Sequence, residues 1–245
     1  MNYSSRLLTS LPVATILALT AATQVYAQPT PTPTPATEAT RLAAVIAKGN
    51  SDITTRTTAL TALIAKVTAG KKLTATQKTD LTTEMQGEIT GLGTLKTTLD
   101  ADTTAAAARL DFARIFSEHY VFAFYIPRTD RIIAADNLDD AAIQLTALVP
   151  KLQGYITQAQ TAGNTVAALN ASLATMQADI KSGQTVADSV INTLTPLKAS
   201  GYPGNKTTVQ AGNVTLKTGY TNIDGARAAA KSIVASLKKM IGKSS

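Results

Sequence analysis

The chain has 245 residues, 44% of them hydrophobic but only 4% aromatic, with no Trp and no Cys. A core built from Leu, Ile, Val and Ala suits closely packed helices better than a sandwich of sheets, and the absence of Cys excludes disulfide staples, thiol catalysis and Cys-ligated zinc. The formal charge of +7 is concentrated at one end: residues 196–245 carry Lys198, Lys206, Lys217, Arg227, Lys231, Lys238, Lys239 and Lys243 against Asp224 alone.

Residues 1–27 have the layout of a secretory signal. Arg6 supplies the positive start, residues 7–22 are an uncharged apolar run, and Val25-Tyr26-Ala27 places small or apolar residues where a signal peptidase reads. That run is shorter than the roughly 20 residues of a spanning helix. Cleavage after Ala27 is expected, with an uncleaved anchor as the alternative. Residues 28–36 alternate Pro and Thr. Pro lacks a backbone donor and fixes φ, so this segment reads as an extended spacer. Residues 37–245 are expected to form the folded domain, with a basic C-terminal part over 196–245.

Leu42, Ile46, Ile53, Leu60, Leu63 and Val67 trace a heptad-like seam interrupted at Gly49 and Arg56. They predict a helix over about 37–69 that stops at Gly70. Thr74-Ala-Thr-Gln77 matches a capping box and opens a second helix. Leu81, Met85, Glu88/Ile89, Leu92, Leu95 and Leu99 carry its apolar face. A turn this short implies antiparallel neighbours. Asp100, Asp102 and Thr103 are cap candidates for a third helix.

That helix leads into residues 110–127, LDFARIFSEHYVFAFYIP, which hold all four Phe and the only His. Leu110, Ala113, Phe116 and Tyr120 fall on one helical stripe. Phe112, Ile115, His119 and Phe122 fall on the next. A helix apolar over most of its circumference is expected to be buried, so this stretch predicts a central packing helix kinked at Pro127. The rival is a β-hairpin across 119–134, turning at Pro127 to Asp130.

Leu138, Leu145 and Leu152 then repeat every seven residues, as do Ala135, Ala142, Val149 and Ile156, with a kink expected at Pro150. Val166, Leu169, Leu173, Met176 and Ile180 form a seam ending at Gly183. Val186, Val190, Leu194 and Leu197 continue it to about 199. Residues 201–220 read as a loop with at most a weak helix or short strands. Thr221 and Asp224 are expected to cap a last helix with a seam of Ile223, Ala226, Ala230, Ile233, Leu237 and Met240. The fold class is therefore all-α: an elongated antiparallel helical bundle with Pro-kinked helices.

Few constellations suggest chemistry. Glu118-His119 is the only adjacent acid–histidine pair, but neighbours on a helix point about 100° apart. Asp130, Asp136, Asp139 and Asp140 cluster without the spacing or glycine of a calcium loop, and are expected to cap helices and to pair with Arg128 and Arg131. Tyr120, Tyr125, Tyr155, Tyr202 and Tyr220 could stack on sugar rings if exposed. No catalytic, metal-binding or cofactor-binding residue is assigned, and no cofactor is expected. Arg227, Lys231, Lys238 and Lys239 stay off the last seam and are the candidate contacts to a polyanion.

Three segments resemble a family of uncharacterised secreted helical proteins from small-genome candidate-phylum bacteria. They are Lys48-Gly-Asn-Ser-Asp-Ile-Thr-Thr-Arg56, Leu99-Asp-Ala-Asp-Thr103, and Ile115-Phe116 running to Pro127. The resemblance implies secretion and an all-helical fold and brings no catalytic residue with it. The expected function is non-enzymatic: a secreted or cell-envelope structural or interaction protein, located outside the cytoplasm. The alternative is a binding module for an extracellular polyanion, such as wall polymer or DNA, through the basic C-terminal helix.

Overall fold

A computed structural model describes residues 36–241, apart from the side chain of residue 241. The expected signal over 1–27 and all but the last residue of the expected spacer over 28–36 lie outside the described residues. Seven α-helices follow in order: α1 Glu38–Ala69, α2 Ala75–Asp100, α3 Ala105–Ser117, α4 Ile126–Thr146, α5 Val149–Thr161, α6 Ala167–Leu194 and α7 Lys206–Ile241. A π-helical turn, Val121–Tyr125, leads into α4, and a 3₁₀ turn, Ala199–Gly201, precedes α7. The described residues contain no strand. The fold is an all-α helical bundle, and the hairpin alternative for 119–134 is excluded.

The first helices form for the reasons their sequence suggests. Thr37 caps α1 by accepting a hydrogen bond from the Thr40 amide, and the Gly70 amide closes the helix on the Val67 carbonyl. Thr74 and Gln77 make the reciprocal capping box at the start of α2. Thr104 caps α3, one residue beyond the expected candidates. The two interruptions in the α1 seam are themselves buried. Gly49 lets the Leu99 side chain of α2 lie on the helix backbone. Arg56 stacks its guanidinium on the rings of Phe116 and Phe122, at 4.6 Å and 5.2 Å.

The aromatic stretch is not one kinked helix. It breaks at Glu118 to Tyr120, then widens into the π turn, whose amides at Tyr125 and Ile126 reach back five residues to Tyr120 and Val121. Pro127 sits in the first turn of α4, where its missing N–H costs nothing. Pro150 likewise stands in the first turn of α5, after a break at Ala147 and Leu148. The expected kinks are therefore chain breaks that precede each Pro. Nor is the stretch uniformly buried. Phe124 and Tyr125 are inside, whereas Leu110 is 73% exposed and Phe116 and Phe122 are 51% exposed. The two exposed Phe rings serve as the lid over Arg56.

The largest correction concerns residues 201–220. α7 begins at Lys206 and runs unbroken for 36 residues, about 54 Å at 1.5 Å per residue. Thr221 and Asp224 lie in its interior and cap nothing. Val209, Leu216, Ile223, Ala230 and Leu237 repeat every seven residues. Gly212, Gly219, Ala226 and Ile233 fill the intervening inward positions, and all nine are buried. The glycines that resembled loop punctuation are points of close contact. Gly219 faces Leu138 of α4 and Val186 of α6. Gly183 is equally no terminus: α6 passes through it, and Ile223 of α7 packs where a side chain would be.

Two helical groups result. α1 and α2 are antiparallel, with α3 against α1. α6 lies antiparallel to α7, pairing Gly183 with Ile223 and Leu194 with Gly212. α4 and α5 form a broken rod that runs parallel to α7, with Arg131 beside Gly212 and Leu138 beside Gly219. One hydrophobic core runs through both groups. Asp136 of α4 helps join them. Its buried carboxylate accepts the amides of Lys71, Lys72 and Leu73 at 2.8, 2.6 and 2.7 Å, so it holds the α1–α2 turn.

Candidate functional site

Two places merit consideration: a polar cluster around the π turn and an open groove between α5 and α7. The cluster begins with two glutamates one turn apart on α2, Glu84 and Glu88, both facing the start of α4. Arg128 is fully buried. Its Nη1 donates to Glu84 Oε1 and Oε2 at 3.2 Å and 3.1 Å, and to the Leu197 carbonyl. Its guanidinium also lies 4.8 Å from the Phe124 ring centre. Lys198 reaches the same Glu84 carboxylate at 3.2 Å. Three elements are thus tied at one carboxylate: α2, α4 and the segment between α6 and α7.

Glu88 takes the second set of contacts. His119 Nδ1 lies 3.0 Å from Glu88 Oε1, and both side chains are largely buried. The Tyr125 hydroxyl faces the same carboxylate. Burial, reinforced by the nearby Glu88 and Glu84 charges, pushes the Tyr125 phenol well above the ordinary tyrosine range. Gly91 leaves room for the imidazole, because a Cβ there would stand 3.2 Å from His119 Cε1. The sequence neighbour Glu118 is not the histidine's partner. It pairs with Arg114 at 2.9 Å. A π turn beside an acid–histidine–tyrosine set often marks a functional position. Here, however, each member's polar contact is to another group of the cluster, and the set ties helices together.

The acidic cluster of α4 also divides differently from expectation. Asp130 pairs with Lys66 at 3.1 Å. Asp140 takes Lys71 at 2.8 Å and Lys72 at 3.8 Å. Asp139 lies near Gln184, and burial holds its carboxyl above the ordinary range. Neither Arg128 nor Arg131 pairs with any of them: Arg128 takes Glu84, and Arg131 donates to the Pro127 carbonyl of its own helix. Among the described residues no group of three or more His, Cys, Asp or Glu could hold a metal ion.

The groove lies at the other end of the C-terminal helices. A cavity of about 410 Å³ opens between α5 and α7, lined by Leu152, Tyr155, Ala159, Val234 and Leu237. It continues into a wider recess of about 540 Å³ that adds Leu148, Lys151, Ala230 and Lys231. Tyr155 is 57% exposed, Val234 41% and Leu148 40%, so open apolar surface is concentrated along the groove. Tyr220, also half-exposed, donates from its hydroxyl to the Ala134 carbonyl. Tyr120 and Tyr202 pack on each other at 4.8 Å. Of the five tyrosines considered for stacking, Tyr155 lines this groove, while Tyr220 borders a separate, more polar recess of about 470 Å³ with Asp130, Arg131 and Lys217.

The four candidate cationic residues are all exposed on α7. Arg227, Lys231 and Lys238, spaced by four and seven, share one stripe of the helix, whereas Lys239 points to a neighbouring face. Arg227 pairs with Asp224 at 2.9 Å. Lys231, Lys238, Lys239 and Lys151 have no ion-pair partner among the described residues. α5 contains no acidic residue, and neither does α7 after Asp224. The first acid on α6 is Asp179, beside Gly225 and beyond the groove. This end of the bundle therefore combines apolar surface with positive charge that no described residue neutralises.

No protein-family model, no curated protein and no solved structure matches the chain.

Proposed function

We propose that the chain is a non-enzymatic interaction protein that works outside the cytoplasm, exported through residues 1–27, and that its contact surface is the α5/α7 end of the bundle. The observation that carries this reading is the groove itself, where Leu148, Tyr155 and Val234 stand open beside Lys151, Lys231 and Lys238, which have no ion-pair partner among the described residues. Apolar surface left open at one place on a packed bundle commonly marks an interaction site. The polar cluster supports the same division of labour, since its charged groups face one another between helices. The resemblance to secreted helical proteins agrees with export.

Cell fractionation tests this. The protein is expected in the envelope fraction of its host, and Val234→Asp with Lys231→Gln and Lys238→Gln is expected to release most of it into the medium. An unchanged distribution of that variant, or a cytoplasmic wild type, contradicts the reading.

A second reading rests on the stripe formed by Arg227, Lys231 and Lys238, with Lys239 beside it. In that case the partner is an extracellular polyanion such as wall polymer or DNA. Phosphate-like contacts release counterions, so retention on heparin or DNA would weaken steeply with salt. Changing Lys231, Lys238 and Lys239 to Gln is then expected to lower the eluting salt concentration. Elution at the same salt contradicts this second reading.

A further inference from the structure

We propose that the α5/α7 groove binds a free, single-chain anionic amphiphile, with a long-chain carboxylate as the simplest example. The inference rests on the reading of this end of the bundle as the contact surface, and it names the ligand. Three observations select that chemistry. The walls are apolar, from Leu152 and Ala159 on α5 to Val234 and Leu237 on α7. The rim is cationic: Lys151, Lys231 and Lys238 border the recess with no partner among the described residues. No acidic residue stands on α5, or on α7 beyond Asp224, to neutralise them.

Size narrows the choice further. The lining of α5 from Leu152 to Ala162 rises about 15 Å. A cavity of about 410 Å³ spread over that length has room for an alkyl chain. The cavity also falls within the roughly 300–1,000 Å³ of ordinary small-molecule sites. A second copy of the chain is disfavoured by charge, because two lysine rims would oppose each other. A hydrated polymer would gain little from the apolar walls. An amphiphile satisfies both parts at once: its chain covers Tyr155 and Val234 while its carboxylate meets the lysines at the open end.

The test is titration calorimetry of the purified protein with tetradecanoate below its micelle concentration, alongside tetradecanol and vesicles of anionic phospholipid. Saturable one-to-one binding of the carboxylate is expected, at least tenfold tighter than of the alcohol. Lys151→Gln with Lys231→Gln and Lys238→Gln is expected to weaken the carboxylate at least tenfold and leave the alcohol unchanged. Val234→Trp is expected to abolish binding of both. All four positions border open space, so each variant is expected to keep the wild-type thermal midpoint, which is measured in parallel. No saturable binding of the carboxylate overturns the proposal, as does equal affinity for carboxylate and alcohol. Binding to anionic vesicles without binding of the free amphiphile overturns it too and assigns a membrane surface instead. Envelope retention without amphiphile binding sinks this inference alone, whereas amphiphile binding without envelope retention sinks the broader functional reading.

Discussion

Arg128 shows how one residue can organise several elements. A fully buried guanidinium is tolerable only when its charge is matched, and Glu84 provides the match from another helix. Glu84→Leu is expected to destabilise the fold by about 3–5 kcal/mol, because it leaves a buried cation unpaired. Adding Arg128→Met should recover most of that loss, and urea unfolding of the single and double variants checks it. Tyr125 gives a pH signature. Its phenol is held above the ordinary value in the folded protein, so the unfolded chain loses this proton first. Stability should therefore fall as pH rises beyond about 10. Tyr125→Phe should flatten that alkaline decline, measured as the urea midpoint against pH, even if the variant is weaker at neutral pH for want of the Glu88 contact. Half of this cluster was visible in the sequence. Glu88 occupies a seam position between Met85 and Leu92, where a carboxylate needs a buried partner. The partner was not visible, because His119 and Tyr125 lie more than thirty residues away and meet Glu88 only through the packing of α2 against the π turn. Adjacency instead drew attention to Glu118, which faces Arg114.

At the level of elements, the glycines separate two physical roles. Gly219 and Gly183 sit where a Cβ would collide with a neighbour: Val186 Cγ1 would be 2.7 Å from the first and Ile223 Cδ1 2.7 Å from the second. Gly219→Ala and Gly183→Ala are each expected to cost about 1–3 kcal/mol through overpacking, despite the better helix propensity of Ala. Gly87 and Gly93 meet nothing within 4 Å. Gly87→Ala and Gly93→Ala are expected to stabilise by about 0.5–1 kcal/mol, and thermal unfolding of all four variants tests the contrast. Asp136→Ala should cost about 1–3 kcal/mol by stranding the amides of the α1–α2 turn, with faster hydrogen exchange at residues 71–73 as its local sign. α1 and α2 were legible almost to the residue because caps, seam and terminating glycine agree. The first half of α7 was not, because Gly212 and Gly219 resemble turn residues. Their alternating three- and four-residue spacing with Val209, Leu216 and Ile223 was the available signal: small residues in a seam let two helices approach instead of ending one. The aromatic stretch misled for the opposite reason, since periodicity cannot show that Phe116 and Phe122 cover an arginine from outside.

Over the whole molecule, the two helical groups share a core and are fastened by Glu84 with Arg128 and by Asp136 with the α1–α2 turn. One cooperative unfolding transition is expected in calorimetry, and two resolved transitions would mean that the groups fold independently. The all-α class followed from composition and periodicity, whereas the groove did not, because it depends on how far α5 and α7 stand apart beyond the break at Leu148. The described residues thus separate their polar groups: an inward cluster at the π turn that joins helices, and an outward apolar recess bordered by lysines that no described residue pairs, at the far end of α7. Amide chemical-shift mapping during a tetradecanoate titration tests that division most directly. The expected result is a saturable set of shifts confined to residues 148–164 and 230–240, with residues 84–91 and 119–128 unmoved. Shifts centred on Glu88, His119 and Tyr125, or none at α5 and α7, would contradict it.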